Sequence, residues 1–195
     1  MRQRLVTALA TLGVAVLLTI GAALFVIHTG AYDVSATEPH WGVTQWALGT
    51  LQHSSVAARS ADVEGAPPTD SAALAHGFEH FHSMCVQCHG APGIDRGEVG
   101  QGMRPVPPRL EEEAGEWSDA ELFRITKHGI RLAGMPAFGP THSDEEIWSI
   151  VGFIRRLETM TEEAYAERVR ALRSPEAAGG GEGGGHAPGT PDHEH

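Results

Sequence analysis

Cys85, Cys88 and His89, in the run Cys85-Val86-Gln87-Cys88-His89, have the types and spacing for the most specific chemistry in this chain. Two thiols three residues apart can each add to a vinyl group of one porphyrin. An imidazole directly after them is then held against the iron as proximal ligand, and C-x-x-C-H is the attachment pattern of c-type haem. The chain has 2 cysteines, so the expectation is one haem c, bound through two thioethers. A redox dithiol is a second reading, but it expects a βαβ pattern around the motif. Half of a zinc site is a third; it needs another strong ligand, and no second C-x-x-C exists.

An iron held by one histidine needs a sixth ligand or keeps an open position. A methionine thioether is the usual partner in electron transfer. Of the 5 methionines, Met135 is the candidate. It sits in Gly134-Met135-Pro136-Ala137-Phe138-Gly139, where glycine and proline hold an irregular loop able to drape over a haem face. Met103 is an alternative, His128 and His142 are bis-histidine alternatives, and Met135 as mere packing is the bland one. His89 also needs an acceptor for its other ring N–H. The carbonyl of Pro108, in Pro107-Pro108-Arg109-Leu110, is the candidate, with Leu110 packing on the ring. The expected haem-binding set is therefore Cys85, Cys88, His89, Met135, Pro108 and Leu110, with His89 and Met135 on the metal.

These residues must be positioned by helices. Asp70 or Ser71 caps a helix that carries Leu74, Gly77, Phe78 and Phe81 toward Cys85. A glycine within a helix costs about 1 kcal/mol against alanine, so Gly77 implies close approach by another helix. A glycine- and proline-rich loop follows from His89 to Leu110. Ser118 with Glu121, and Ser143 with Glu146, form two capping boxes. The first opens a helix through Leu122, Phe123 and Ile125 that stops at Gly129. The second opens a helix whose apolar residues, Ile147 to Leu157, recur at spacings of three and four. Nothing reads as a sheet.

Five segments are expected: an anchor at 1–29, a juxtamembrane segment and linker at 30–66, the haem domain at 67–160, a charged helical extension at 161–174, and a Gly/His-rich tail at 175–195. Leu5 to Ile27 is 23 residues without charge or proline, enough to span about 30 Å of hydrocarbon. Arg2 and Arg4 precede it, which places the N-terminus in the cytoplasm and the haem domain in the periplasm; a cleaved secretory signal is the alternative. Trp41 and Trp46 suit a membrane interface, with a helix from about Pro39 to Arg59. Ala57 to Thr69 lacks apolar periodicity and reads as a linker. The net charge is −11. Residues 67–173 carry 17 acidic and 11 basic residues, a balance that argues against nucleic acid as a partner.

His76 and His80, four apart, could bind a metal with His82 nearby, against a plainer reading as surface residues. His186, His193 and His195 could do so in the tail, against a solvated tail. Glu111-Glu112-Glu113 reads as a solvated run or an acidic face for a basic partner. Arg104 and Arg109 are candidates for propionate contact, or simply exposed.

The order of helix, C-x-x-C-H, Gly/Pro-rich loop, P-x-L, helix, G-M-P and a helix near Trp148 resembles the class I cytochromes c over about 67–160. The stretch Tyr32 to His40 resembles membrane-anchored bacterial monohaem members. The resemblance implies an all-α, class I cytochrome c-like haem domain behind an N-terminal single-pass transmembrane helix. It implies that Gly77 and Phe81 cross Trp148 or Phe153. It also implies a one-electron carrier rather than an enzyme, in the inner membrane and facing the periplasm. Its partners would be protein donors and acceptors of a respiratory chain or dehydrogenase, with no small-molecule substrate. A fixed cytochrome subunit of a membrane oxidoreductase, and a haem-based ligand sensor, are the alternatives.

Overall fold

The computed structural model describes residues 1–131 and 133–173; the expected tail at 175–195 lies outside them. Among the described residues there is no strand, only isolated bridges between Ala91 and Ile94 and between Ile130 and Met135. The chain divides into two compact units, the first being Met1–Gly42 and the second starting at Val43.

In the first unit, α1 spans Arg2–Thr29 and ends on Gly30 in the left-handed conformation, φ 69°. None of its residues is buried. It is the one described helix long and apolar enough to cross a membrane. Beyond it the Tyr32 hydroxyl pairs with His40 Nδ1 at 2.7 Å, and Trp41 meets the Tyr32 ring edge-on.

Among its described residues, the regular elements of the second unit are all helices. α2 spans Gly42–Ser60. α3 is Ser71–His80, capped by the Asp70 carboxylate, which accepts from the Ala73 N–H at 2.9 Å. One π-helical turn, Phe81–Cys85, joins it to α4, Val86–His89. Two short helices in the following loop are α5, Glu98–Gly102, and α6, Leu110–Glu113. α7 spans Asp119–His128, α8 spans Asp144–Leu157, and α9 spans Glu162–Leu172. Both expected capping boxes form, at Ser118 with Glu121 and at Ser143 with Glu146.

The core lies where α3 and α7 meet α8, with Tyr165 of α9 joining it against Phe78. Ile147, Ile150, Val151, Phe153, Ile154 and Leu157 of α8 are buried with Phe78, Phe81, Leu122 and Phe123. α3 approaches α8 so closely that a Cβ on Gly77 would sit 2.0 Å from the Ser149 carbonyl oxygen; only a residue without a side chain fits there. Of the two aromatic partners the resemblance allows, Phe153 is the one met. It lies 5.2 Å from Phe78 and 5.3 Å from Phe81 between ring centroids. Trp148 turns the other way and stacks on Phe123 at 4.4 Å.

Two segments pack more tightly than their sequences suggest. The stretch read as a linker, 57–69, does not hang free. α2 continues to Ser60, Val56 and Ser60 are buried, and Val63 packs against the core. His53 stacks on Trp117 at 4.4 Å. α9, expected as a charged extension, buries the whole of Tyr165. Its hydroxyl is 2.9 Å from His82 Nδ1, and its ring meets Phe78 edge-on at 5.5 Å. The spacing of Tyr165, Val169 and Leu172 along α9 forms an apolar stripe against the core.

A candidate haem-binding site

Cys85 ends the π-helical turn, and Cys88 and His89 lie in α4. A π turn holds one residue more than an α turn, so it resets the helix face just before the motif. Both cysteines are free thiols. Burial, then the neighbouring Cys88, pushes the Cys85 thiol up to about 12. A redox dithiol or a zinc thiolate needs the opposite shift. Burial around Cys85 thus favours the protonated thiol over the thiolate that both rival readings use.

The nitrogens of His89 are differentiated by their surroundings. Nδ1 lies 2.8 Å from the carbonyl oxygen of Pro108. A carbonyl can only accept, so Nδ1 carries the proton and Nε2 keeps its lone pair. Burial holds His89 below the ordinary histidine value, with the Pro108 hydrogen bond opposing it. The neutral ring is the ligating form.

The loop that carries Pro108 is tied down at several points. Gly90 takes φ +73°, and a Cβ there would lie 2.8 Å from the Ile94 carbonyl oxygen, so the chain turns sharply after His89. The Arg96 Nε–H donates to the Pro107 carbonyl at 2.8 Å. The Arg109 Nη2–H donates to the Ala91 carbonyl at 3.0 Å. Leu110 opens α6 and packs against the core from a half-buried position.

Met135 is half-buried in the loop between α7 and α8. Its carbonyl accepts from the Ile130 N–H at 3.2 Å, which closes the loop on itself. Met103, the other methionine considered, reaches the same loop: a Cβ on Gly134 would lie 2.6 Å from Met103 Cε. His128 is exposed at the end of α7, and His142 pairs with Thr141 and Phe138.

The arginines and acidic residues differ from their simplest readings. Arg104 is exposed and bonds the Gln101 and Met103 carbonyls. Arg109 is half-buried; its Nε–H donates to Glu111 Oε1 at 2.7 Å. Glu111 is thus no solvated residue. Its side chain is 15% exposed, and Oε2 is buried without a hydrogen-bond partner. A run of three glutamates conceals this, since only the neighbouring Arg109 hints that the first turns inward.

A helical domain with two free thiols, an adjacent neutral histidine and a methionine loop has the donor set that haem c requires. The helical fold and this donor set resemble those of a class I cytochrome c domain. Residues 72–154 match the family model described as cytochrome c oxidase, cbb3-type, subunit III. A comparison with curated proteins finds no match. Domains of this family bind haem c covalently and serve electron transfer.

Proposed function

We propose that the protein is a membrane-anchored monohaem c-type cytochrome that passes single electrons between redox proteins of a respiratory chain or dehydrogenase. The observation that carries this reading is the 2.8 Å contact from His89 Nδ1 to the Pro108 carbonyl beside two free thiols. It orients the ring and reserves Nε2 for the iron.

Cys85 and Cys88 would hold the porphyrin, with His89 on one face and Met135 on the other. Bound haem supplies the one-electron redox couple. The residues of the chain bind it, orient it and exclude water. Pro108 fixes the His89 tautomer, Leu110 packs beside the ring, and the Arg96 and Arg109 contacts keep that wall rigid. α1 confines the domain to the membrane, with the haem domain in the periplasm, which raises its effective concentration at membrane-bound partners.

The test is the mass and absorption spectrum of the chain purified from a host able to attach haem c. The expected result is one haem per chain, stable to denaturation, and a weak sulfur-to-iron band that vanishes in Met135→Ala and survives in Met103→Ala. A colourless protein with the mass of bare polypeptide refutes the reading. Loss of the band in Met103→Ala alone moves the axial role to Met103.

A second reading, a fixed cytochrome subunit of a membrane oxidoreductase, is favoured by the description of the matched family. Purification in mild detergent separates the two: a stoichiometric complex supports the subunit, and a lone chain supports the mobile carrier.

A further inference from the structure

We propose that His76, His80 and His142, with the carboxylate of Glu146, form a surface site for a divalent transition-metal ion such as Zn²⁺ or Cu²⁺. The site uses none of the residues that would hold haem.

Three of the four donors come from two helices fixed against each other, α3 and α8, and the fourth from the segment that leads into α8. His76 and His80 lie one turn apart on α3, with ring centroids 4.7 Å apart. His142 stands just ahead of α8, and its ring is 5.0 Å from that of His80. Glu146 follows His142 by four residues, and its Oε1 is 3.9 Å from His80 Nε2. The contact of Gly77 with Ser149 sets the spacing of α3 and α8 beneath them. One i,i+4 pair on α3, with Glu146 in the first turn of α8 and His142 just before its cap, thus presents three imidazoles and one carboxylate to the same patch. That donor set suits zinc or copper and is poor for calcium or magnesium, which prefer oxygen.

Secondary contacts already orient two of the ligands. His142 Nδ1 lies 3.3 Å from the Phe138 carbonyl and 2.9 Å from Thr141 Oγ1, which leaves Nε2 to ligate. A backbone carbonyl on the second nitrogen is the usual support of a metal-bound histidine. The Ser143 N–H donates to Glu146 Oε2 at 2.7 Å, so the capping box leaves Oε1 turned to His80. The Ser143 hydrogen bonds keep Glu146 ionised.

Among the described residues no three such side chains already surround one point. Tetrahedral zinc places its nitrogens about 3.3 Å apart, given Zn–N bonds of about 2.0–2.1 Å. Closing the site therefore needs side-chain rotation, chiefly of the exposed His76.

The experiment is a calorimetric Zn²⁺ titration of the haem-loaded full chain at neutral pH. His186, His193 and His195 are replaced by alanine throughout, so that the tail cannot bind the ion. The expected result is one saturable site, weakened about tenfold or more in H76A/H142A and less in E146Q. The haem spectrum should stay unchanged during the titration, and thermal unfolding without zinc should be alike in all variants. The proposal is overturned if the tail-substituted chain shows no saturable binding, or if H76A/H142A and E146Q bind as tightly as their parent. Should H76A/H142A fold poorly, E146Q and the single variant H76N decide by the same criterion.

Discussion

The Nδ1–H of His89 meets the carbonyl oxygen of Pro108, 19 positions further along the chain, at 2.8 Å. That acceptor makes the imidazole a stronger donor through Nε2. Pro108→Gly keeps the carbonyl but loosens its position. The expected outcome is a higher midpoint potential in a redox titration, because a weaker ligand stabilises ferric iron less. An unchanged or lower potential would show that the contact does not tune the iron.

Gly77 and Ser149 touch backbone to backbone. In Gly77→Ala the added methyl would lie 2.0 Å from the Ser149 oxygen and 2.5 Å from its carbon, and neither is a flexible side chain. α3 and α8 must then move apart. A loss of about 1–3 kcal/mol is expected in denaturant unfolding of the holoprotein. Stability equal to the parent would show that the helices separate freely.

Each capping serine satisfies an N–H that the first turn of its helix leaves unpaired. Ser118→Ala and Ser143→Ala are each expected to cost about 1 kcal/mol, read as a lower unfolding midpoint.

Acid should destabilise the domain in a window set by histidines. Burial is the main cause that holds His80 and His82 below the ordinary value of 6.5. The unfolded chain therefore binds protons first as pH falls, and stability drops below about pH 6.5 until the folded groups also protonate. Tyr165→Phe removes the 2.9 Å contact to His82 and should cost about 1 kcal/mol at neutral pH. His82→Asn should shrink the fall between pH 7 and 5 seen in thermal scans. A scan as steep as the parent's would assign the acid effect elsewhere.

Much of this architecture is legible in the sequence because it rests on local chemistry. Ser-x-x-Glu before an apolar run is a self-contained signal, and both α7 and α8 begin where it says. Gly77 in a helix announces a close crossing, but not with what. The choice of Phe153 over Trp148 depends on the rotation of α8, which a face many residues wide does not fix. The Met103 contact with Gly134 joins two irregular loops and has no periodic signature.

The misread segments share a cause. α9 spells Glu-Glu-Ala-Tyr-Ala-Glu-Arg-Val-Arg, and its charge hides a three-residue stripe of which Tyr165 is the anchor. Residues 57–69 contain Pro67 and Pro68 and few large apolar groups, yet small side chains let that stretch lie close on the core. A Cβ on Gly65 would come 2.6 Å from Trp148 Nε1. Glu111 is concealed by two glutamates that follow it, although Arg109 two positions before supplies its counter-charge.

The buried phenol of Tyr165 bears on where a soluble fragment can be cut. A boundary drawn at residue 154, where the family likeness stops, would remove the ring that covers Phe78 and strand a greasy hollow beside the thiols. Any shortened version meant for crystallisation should run past Leu172.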